Sequence, residues 1–272
     1  MNLRRTNIEQ DKDMTQTNDT HTEDEHKLLS IRIGTDGFSF AIVMADDGEH
    51  TDMRHHAIDD TLPLTANIKQ LFAQEEALRQ GGFSRTDIVL ESKRFCLLPT
   101  EFFERDEACR VFYHNYPKQE NECVLHNTLP HTGITVLFGI DKTARDCLLG
   151  LCHRVKFYSQ ASLHIAHMAA LKRPAGTRAL YACPRRYSME VYAYGPEGLL
   201  LANSFDCNST ADRLYYLLYV WKQLGFDQEK DELHLCGQAA GQEQLSDELQ
   251  RFVAHVSTDE PLQYNNLKFL SE

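Results

Sequence analysis

The sequence predicts an α/β protein built twice from one plan, with two lobes facing each other across a cleft. Three observations carry this reading. The stretch Leu28 to Val43, LLSIRIGTDGFSFAIV, is an apolar run, a tight break at Gly34 to Gly37, and a second apolar run. About half a chain later, Ala179 to Phe205, ALYACPRRYSMEVYAYGPEGLLLANSF, repeats the layout. Each copy then turns again, at Asp47-Gly48 or at Pro196-Glu197-Gly198, and hands over to an amphipathic helix.

Taken in order, a polar leader over 1–27 precedes a first lobe over 28–172 and a second over 173–272. Leu28 to Ile33 is apolar enough for a central strand, Phe38 to Val43 for its antiparallel neighbour, and Thr51 to Ile58 is polar enough for an edge. Thr61 and Pro63 open a helix with Leu64, Ile68, Leu71 and Phe72 on one face, and Gly81-Gly82 stops it. Asp87 to Glu91 begins a further strand. The aromatic segment FFERDEACRVFYHNY, Phe102 to Tyr116, reads as helical, and strands follow at Glu122 to His126 and Ile134 to Ile140. Asp141 caps a helix lined by Ala144, Cys147, Leu148, Leu151 and Cys152. Val155 to Tyr158 leads into a helix over Ala161 to Leu171, with Pro174 and Gly176 as the hinge to the second half. There Ser209 caps a helix with Asp212 three residues on and a stripe of Leu214, Leu217, Leu218 and Trp221. Gly225 ends that helix, and a strand at Glu232 to Cys236, a turn over Gly237 to Gly241 and a helix from Gln242 to His255 complete the plan.

Composition narrows the function classes. A chain of 272 residues with 42% hydrophobic content buries a full core. Its net charge of −12 opposes a polyanion as main partner, so nucleic acid is not expected. No apolar run reaches membrane-spanning length, and the arginines of the leader have no apolar segment behind them, so a cytoplasmic location without membrane insertion is expected. The 8 cysteines are scattered without a CxxC and read as reduced structural thiols.

The combination of IRIGTDGFSF, LFGIDKTARDCL, CPRRYSMEVY, NSFDCNSTADRLYYLL and LHLCG resembles the bacterial family catalogued as domain of unknown function 3822. The duplicated plan resembles the actin-like ATPase fold, a duplicated RNase H-like fold shared by actin, Hsp70, sugar kinases, FtsA and PilM. The resemblance covers Leu28 to about Val256. It implies a nucleotide cleft, with ATP and Mg²⁺ as its cofactors. Ile31-Arg32-Ile33-Gly34-Thr35 is similar to the first phosphate loop of the FtsA and PilM branch, Ile-Asp-Ile-Gly-Ser/Thr.

The candidate site is Arg32, Gly34, Thr35, Asp36 and Gly37 at the first turn, Arg185 and Arg186 at the second, and Gly237 and Gln238 at the third. Two of the three turns depart seriously from what the resemblance implies. Arg32 stands where the family's metal-serving Asp would be, and a guanidinium repels Mg²⁺. Asp36 is offset into the turn, where Asp-Gly is a common turn pair. The second loop, Cys183-Pro184-Arg185-Arg186, has no glycine and no acid, and its proline lacks a donor. One Gly of the adenosine-turn pair remains, Gly237, followed by Gln238.

Two readings of the arginines stay open: Arg32, Arg185 and Arg186 converge on an anion, or Arg32 pairs with Asp36 or Asp206 while Arg185 and Arg186 are solvated. His164 and His167, three apart on a helix, are close enough to share a metal, but with no local Cys, Asp or Glu pattern they read as surface or packing residues, and no metal or catalytic residue is assigned. Tyr215, Tyr216 and Tyr219 read as core and interface packing, with docking of a partner by so dense an aromatic stripe as the alternative. Neither a G-x-S-x-G elbow nor a G-x-x-x-x-G-K-[ST] loop occurs. The expected function is a non-catalytic scaffold or interaction module with a protein partner and no cofactor. The alternatives are an ATP-binding phosphotransferase or ATPase with atypical loops and, last, an RNase H-like nuclease, whose clustered carboxylates are missing.

Overall fold

Shared apolarity pairs the first two predicted strands. In the computed structural model, which describes residues 27–44, 53–237 and 241–259, β1 (Lys27–Gly34) and β2 (Gly37–Met44) run antiparallel from Lys27 opposite Met44 to Gly34 opposite Gly37. The leader up to residue 26, the Asp47-Gly48 turn and Gln238 lie outside the described residues. Gly37 is required at the hairpin. Its φ is +139°, and a Cβ there would meet the His56 carbonyl oxygen at 2.2 Å.

The same order is then built twice. Strands β3 (Arg54–His56), β4 (Arg85–Leu90) and β8 (Val155–Ser159) complete a sheet ordered β3-β2-β1-β4-β8, in which β4 and β8 continue parallel to β1. Strands β9 (Ala179–Pro184), β10 (Ser188–Gly195), β11 (Gly198–Asp206), β12 (Glu232–Cys236) and β13 (His255–Asp259) form the second, ordered β11-β10-β9-β12-β13. In each the first strand is central, flanked by an antiparallel hairpin on one side and parallel strands on the other. A third, antiparallel sheet, β5 (Phe95–Pro99), β7 (Ile134–Asp141) and β6 (Glu122–Leu129), is inserted between β4 and β8 and covered by a helix at Ala108–Asn115 whose Phe112 is fully buried.

In chain order the helices are α1 (Leu64–Gln74), α2 (Glu76–Gln80), α3 (Ala108–Asn115), α4 (Lys142–Leu151), α5 (Gln160–Ala170), α6 (Thr210–Gln223) and α7 (Gln242–Leu249). Strand alternation divides the interior. Leu180, Ala182, Met189, Val191 and Ala193 face α6 and α7, and they share a core with Leu217, Trp221, Leu245 and Leu249. The intervening residues Ala179, Tyr181, Cys183, Tyr192 and Tyr194 turn the other way, into the core that holds β1, β2, β4 and α5. Helix α5 is therefore buried on most of its circumference, which explains why its sequence, QASLHIAHMAA, shows little amphipathic contrast. The Tyr194 hydroxyl donates to the Ile165 carbonyl at 2.9 Å, fixing α5 to the second sheet.

Several elements differ from the sequence reading. The helix expected to reach His255 stops at Leu249, and His255 to Asp259 pairs in parallel with β12 as an edge strand. Its half-exposed alternation left no apolar signal to separate it from the helix before it. Only Ala108–Asn115 of the aromatic segment is an α-helix, preceded by short 3-10 turns at Thr100–Phe102 and Arg105–Glu107. Tyr215 and Tyr219 are 62% and 48% exposed rather than core, stacked on each other with ring centroids 6.1 Å apart.

Candidate functional site

The C-terminal ends of β1 and β4 and the first turn of α5 meet at Arg32. A charged residue sits in an otherwise apolar strand only if its guanidinium is satisfied, and Arg32, 6% exposed, has three acceptors. Its Nη2 donates to Glu91 Oε2 at 2.5 Å, its Nη1 to Asp36 Oδ1 at 3.0 Å, and its Nε to Gln160 Oε1 at 3.0 Å. Thr35 Oγ1 donates to the other Glu91 oxygen at 3.1 Å. Gly34 makes room for this closure, because a Cβ there would lie 2.5 Å from Asp36 Oδ1 and 2.7 Å from both Arg32 Nη2 and Glu91 Oε2. Burial pushes the Glu91 carboxyl above its ordinary range, while Arg185 and Arg32 pull it down.

Gln160 continues the network across the cleft. Its amide Nε2 donates to Glu190 Oε2 at 3.1 Å, so one buried side chain joins Arg32 of the first sheet to Glu190 of the second. Glu190 also lies 3.0 Å from His164 Nδ1, and the Tyr192 hydroxyl is 3.3 Å from the same nitrogen. Burial alone would raise the Glu190 carboxyl, but the hydrogen bond and charge of His164, with Arg185 and Gln160, hold it down at about 2. Opposite Glu190 in the β9–β10 register stands Cys183, whose thiol is pushed well up by the neighbouring Cys236 and by burial.

Comparisons with known proteins place this geometry in a family. Residues 15–256 match the family described as "Protein of unknown function (DUF3822)". The chain belongs to this family. A crystal structure of a Bacteroides thetaiotaomicron protein, described as having an actin-like ATPase fold and unknown function, is 38% identical, with 93% of this chain and 99% of that one covered at a TM-score of 0.86. The PilM-PilN type IV pilus biogenesis complex is similar at 13% identity, with 87% and 88% covered at a TM-score of 0.57. No curated protein matches the sequence. The fold of this DUF3822 protein is therefore the actin-like ATPase fold, two α/β lobes around a cleft.

Of the nine residues singled out from sequence in this DUF3822 chain, the eight that are described fall at three turns. Arg32, Gly34, Thr35, Asp36 and Gly37 are brought together at the β1–β2 turn. Arg185 reaches toward Glu91 and Glu190, its backbone held by Ser188 at 2.8 Å and by Arg213 Nη2 at 2.7 Å. Arg186 points away, exposed over the Tyr187 ring at 4.9 Å, so the three arginines do not converge on one point. Gly237 ends β12, its N–H donating to the Asp259 carbonyl at 3.1 Å. Asp206 pairs with Lys93 rather than Arg32.

The sequence reading missed Glu91, Gln160, His164 as a cleft residue, Cys183 and Glu190. Glu190 carried a usable signal, an acid inside the apolar strand SMEVYAYG, the counterpart of Arg32 inside LLSIRIG. His164 lacked partners only locally, because Cys183 and Glu190 come from the other half of the chain.

Proposed function

We propose that this chain is a non-catalytic actin-like-fold protein, a scaffold or interaction module whose nucleotide site is occupied by its own side chains. The observation that carries the reading is the Arg32 cluster. Where a phosphate loop would offer backbone donors and a metal-serving acid, Gly34 admits the tips of Arg32, Asp36 and Glu91, and Gln160 braces them against Glu190. The residues present do not fit a magnesium-bound triphosphate. The acids at the turn are committed to Arg32, a fixed cation stands at the metal position, and Pro184 removes a donor from the second turn. A lobe boundary at 172/173 belongs to the same reading, since the two five-stranded sheets share no strand.

A protein partner is supported by two features. The exposed stacked pair Tyr215 and Tyr219 on α6 offers an aromatic anchor of the kind that dominates interfaces, and PilM, with this fold, is found in complex with PilN. No described helix is long and apolar enough to cross a membrane, and a cytoplasmic location is part of the proposal.

Melting of the purified chain with ATP, with and without Mg²⁺, tests it. No shift at saturating nucleotide is expected, because a ligand that binds only the folded state must raise the melting temperature. A saturable rise with Mg-ATP that is lost on changing Asp36 would establish instead the ATP-dependent phosphotransferase reading.

A further inference from the structure

We propose that His164, Cys183, Glu190 and Cys236 form a four-coordinate site for zinc or a similar borderline divalent transition-metal ion, tying α5 to the second sheet. One ligand atom each from His164, Cys183 and Glu190 lies within 4.8 Å of the other two, all three residues buried, and the half-buried Cys236 is the neighbour of Cys183 on β12. Zinc bonds to sulfur at about 2.3 Å and to nitrogen or oxygen at about 2.0–2.2 Å, so a tetrahedral set has its ligand atoms roughly 3.3–3.8 Å apart. His164, Cys183 and Glu190 stand near those separations, and Cys236, the neighbour of Cys183 across β9 and β12, completes the set by turning its side chain inward. The 3.0 Å His164–Glu190 contact is already as close as such a set requires.

The sheet presents the ligands. Glu190 is the direct partner of Cys183 in the β9–β10 register, and Leu235 is paired with Ala182 between β12 and β9, which sets Cys236 alongside Cys183. Three neighbouring strands thus offer a carboxylate and two thiols at one level, and His164 closes over them from α5. The donor set of two thiolates, one imidazole and one carboxylate suits zinc and excludes Mg²⁺ and Ca²⁺, which take oxygen ligands. Binding Zn²⁺ expels the protons of both thiols and leaves the centre with one net negative charge, which the Arg185 guanidinium beside Glu190 offsets. An outer-shell partner is also in place: the Gln160 amide donates to the Glu190 carboxylate at 3.1 Å. All four metal positions are filled by protein, so the ion is a structural tie, independent of whether the cleft takes nucleotide.

The test uses the untagged full chain, with Co²⁺ as spectroscopic probe and zinc content measured by elemental analysis. One equivalent of metal is expected, with a sulfur-to-cobalt charge-transfer band and the intense visible bands of tetrahedral cobalt. Cys183→Ser and Cys236→Ser should abolish the charge-transfer band or weaken metal affinity more than about 100-fold, beyond the roughly 10–100-fold of outer-shell losses. The half-buried Cys147→Ser and exposed Cys109→Ser should leave it unchanged. If the cysteine variants fail to fold, Glu190→Gln, of the same shape, should still shift the visible cobalt bands, and a chelator should lower the melting temperature of the native chain. A native chain that gives no thiolate–cobalt band, or a band that survives in Cys183→Ser, overturns the proposal.

Discussion

Replacing Arg32 by Met tests whether the cleft is held shut by its own charges. The change keeps the length and apolar stem of the side chain and removes the guanidinium from Glu91, whose side chain is 4% exposed. Removing one partner of a buried ion pair costs roughly 3–5 kcal/mol. Glu91 keeps the Thr35 hydroxyl at 3.1 Å and the nearby charge of Arg185, so the lower end, about 3 kcal/mol, is expected. That corresponds to roughly 6–12 °C in melting temperature for a chain of this size. The pH dependence supplies the sharper check. Burial already raises the Glu91 carboxyl above 4.5, Glu190 and Asp36 add to the rise, and Arg185 and Arg32 oppose it. Losing Arg32 lifts it further. A carboxyl whose folded pKa is raised binds more protons in the native state, so its contribution is present below about 4.5 and is lost as pH rises through the folded value. The deficit of Arg32→Met should therefore be largest near neutrality and shrink as pH falls toward 4.5, measured by urea unfolding at several pH values. A deficit under about 1 kcal/mol at neutral pH, as an exposed pair would give, or one that does not change with pH, refutes the reasoning.

Three further substitutions read other parts of the fold. Gly37→Ala forces a Cβ into the left-handed region and against the His56 carbonyl. It should cost roughly 1–3 kcal/mol from backbone strain alone, seen as a lower urea midpoint, and a neutral result would refute a left-handed Gly37 packed on the His56 carbonyl. Ser209→Ala removes the side chain that accepts from the Asp212 N–H in the capping box at the start of α6, and about 1 kcal/mol of stability should go with it in thermal unfolding. Tyr194→Phe deletes the hydroxyl that donates to the Ile165 carbonyl and should cost on the order of 1–3 kcal/mol, with faster amide exchange around α5; unchanged exchange would show that α5 is held by packing alone.

The scaffold was legible where its signals are local. The β1–β2 turn, the Asp141 cap that accepts from Ala144 and the Ser209 capping box can each be read within a few residues, and all three stand as expected. The inserted three-stranded sheet was only partly visible, since β5 (FCLLP) carries no alternation beyond its apolar run. The site divided along the same line. Arg32 stood out because a charge in a buried strand demands partners, yet those partners lie 59 and 128 residues away in Glu91 and Gln160. Composition cannot state such distances. Only the sheet order, which sets β4 beside β1, and α5 between the sheets supply them.

Gln160 sets a limit on motion. Its carboxamide has one arm on Arg32 and the other on Glu190, so rotating either sheet outward strips a buried donor or acceptor of its mate. At about 3 kcal/mol for the loss, a gaping conformer would amount to on the order of one molecule in a hundred. Whatever docks on this protein meets a nearly fixed outline, closer to a peg than to a pair of jaws.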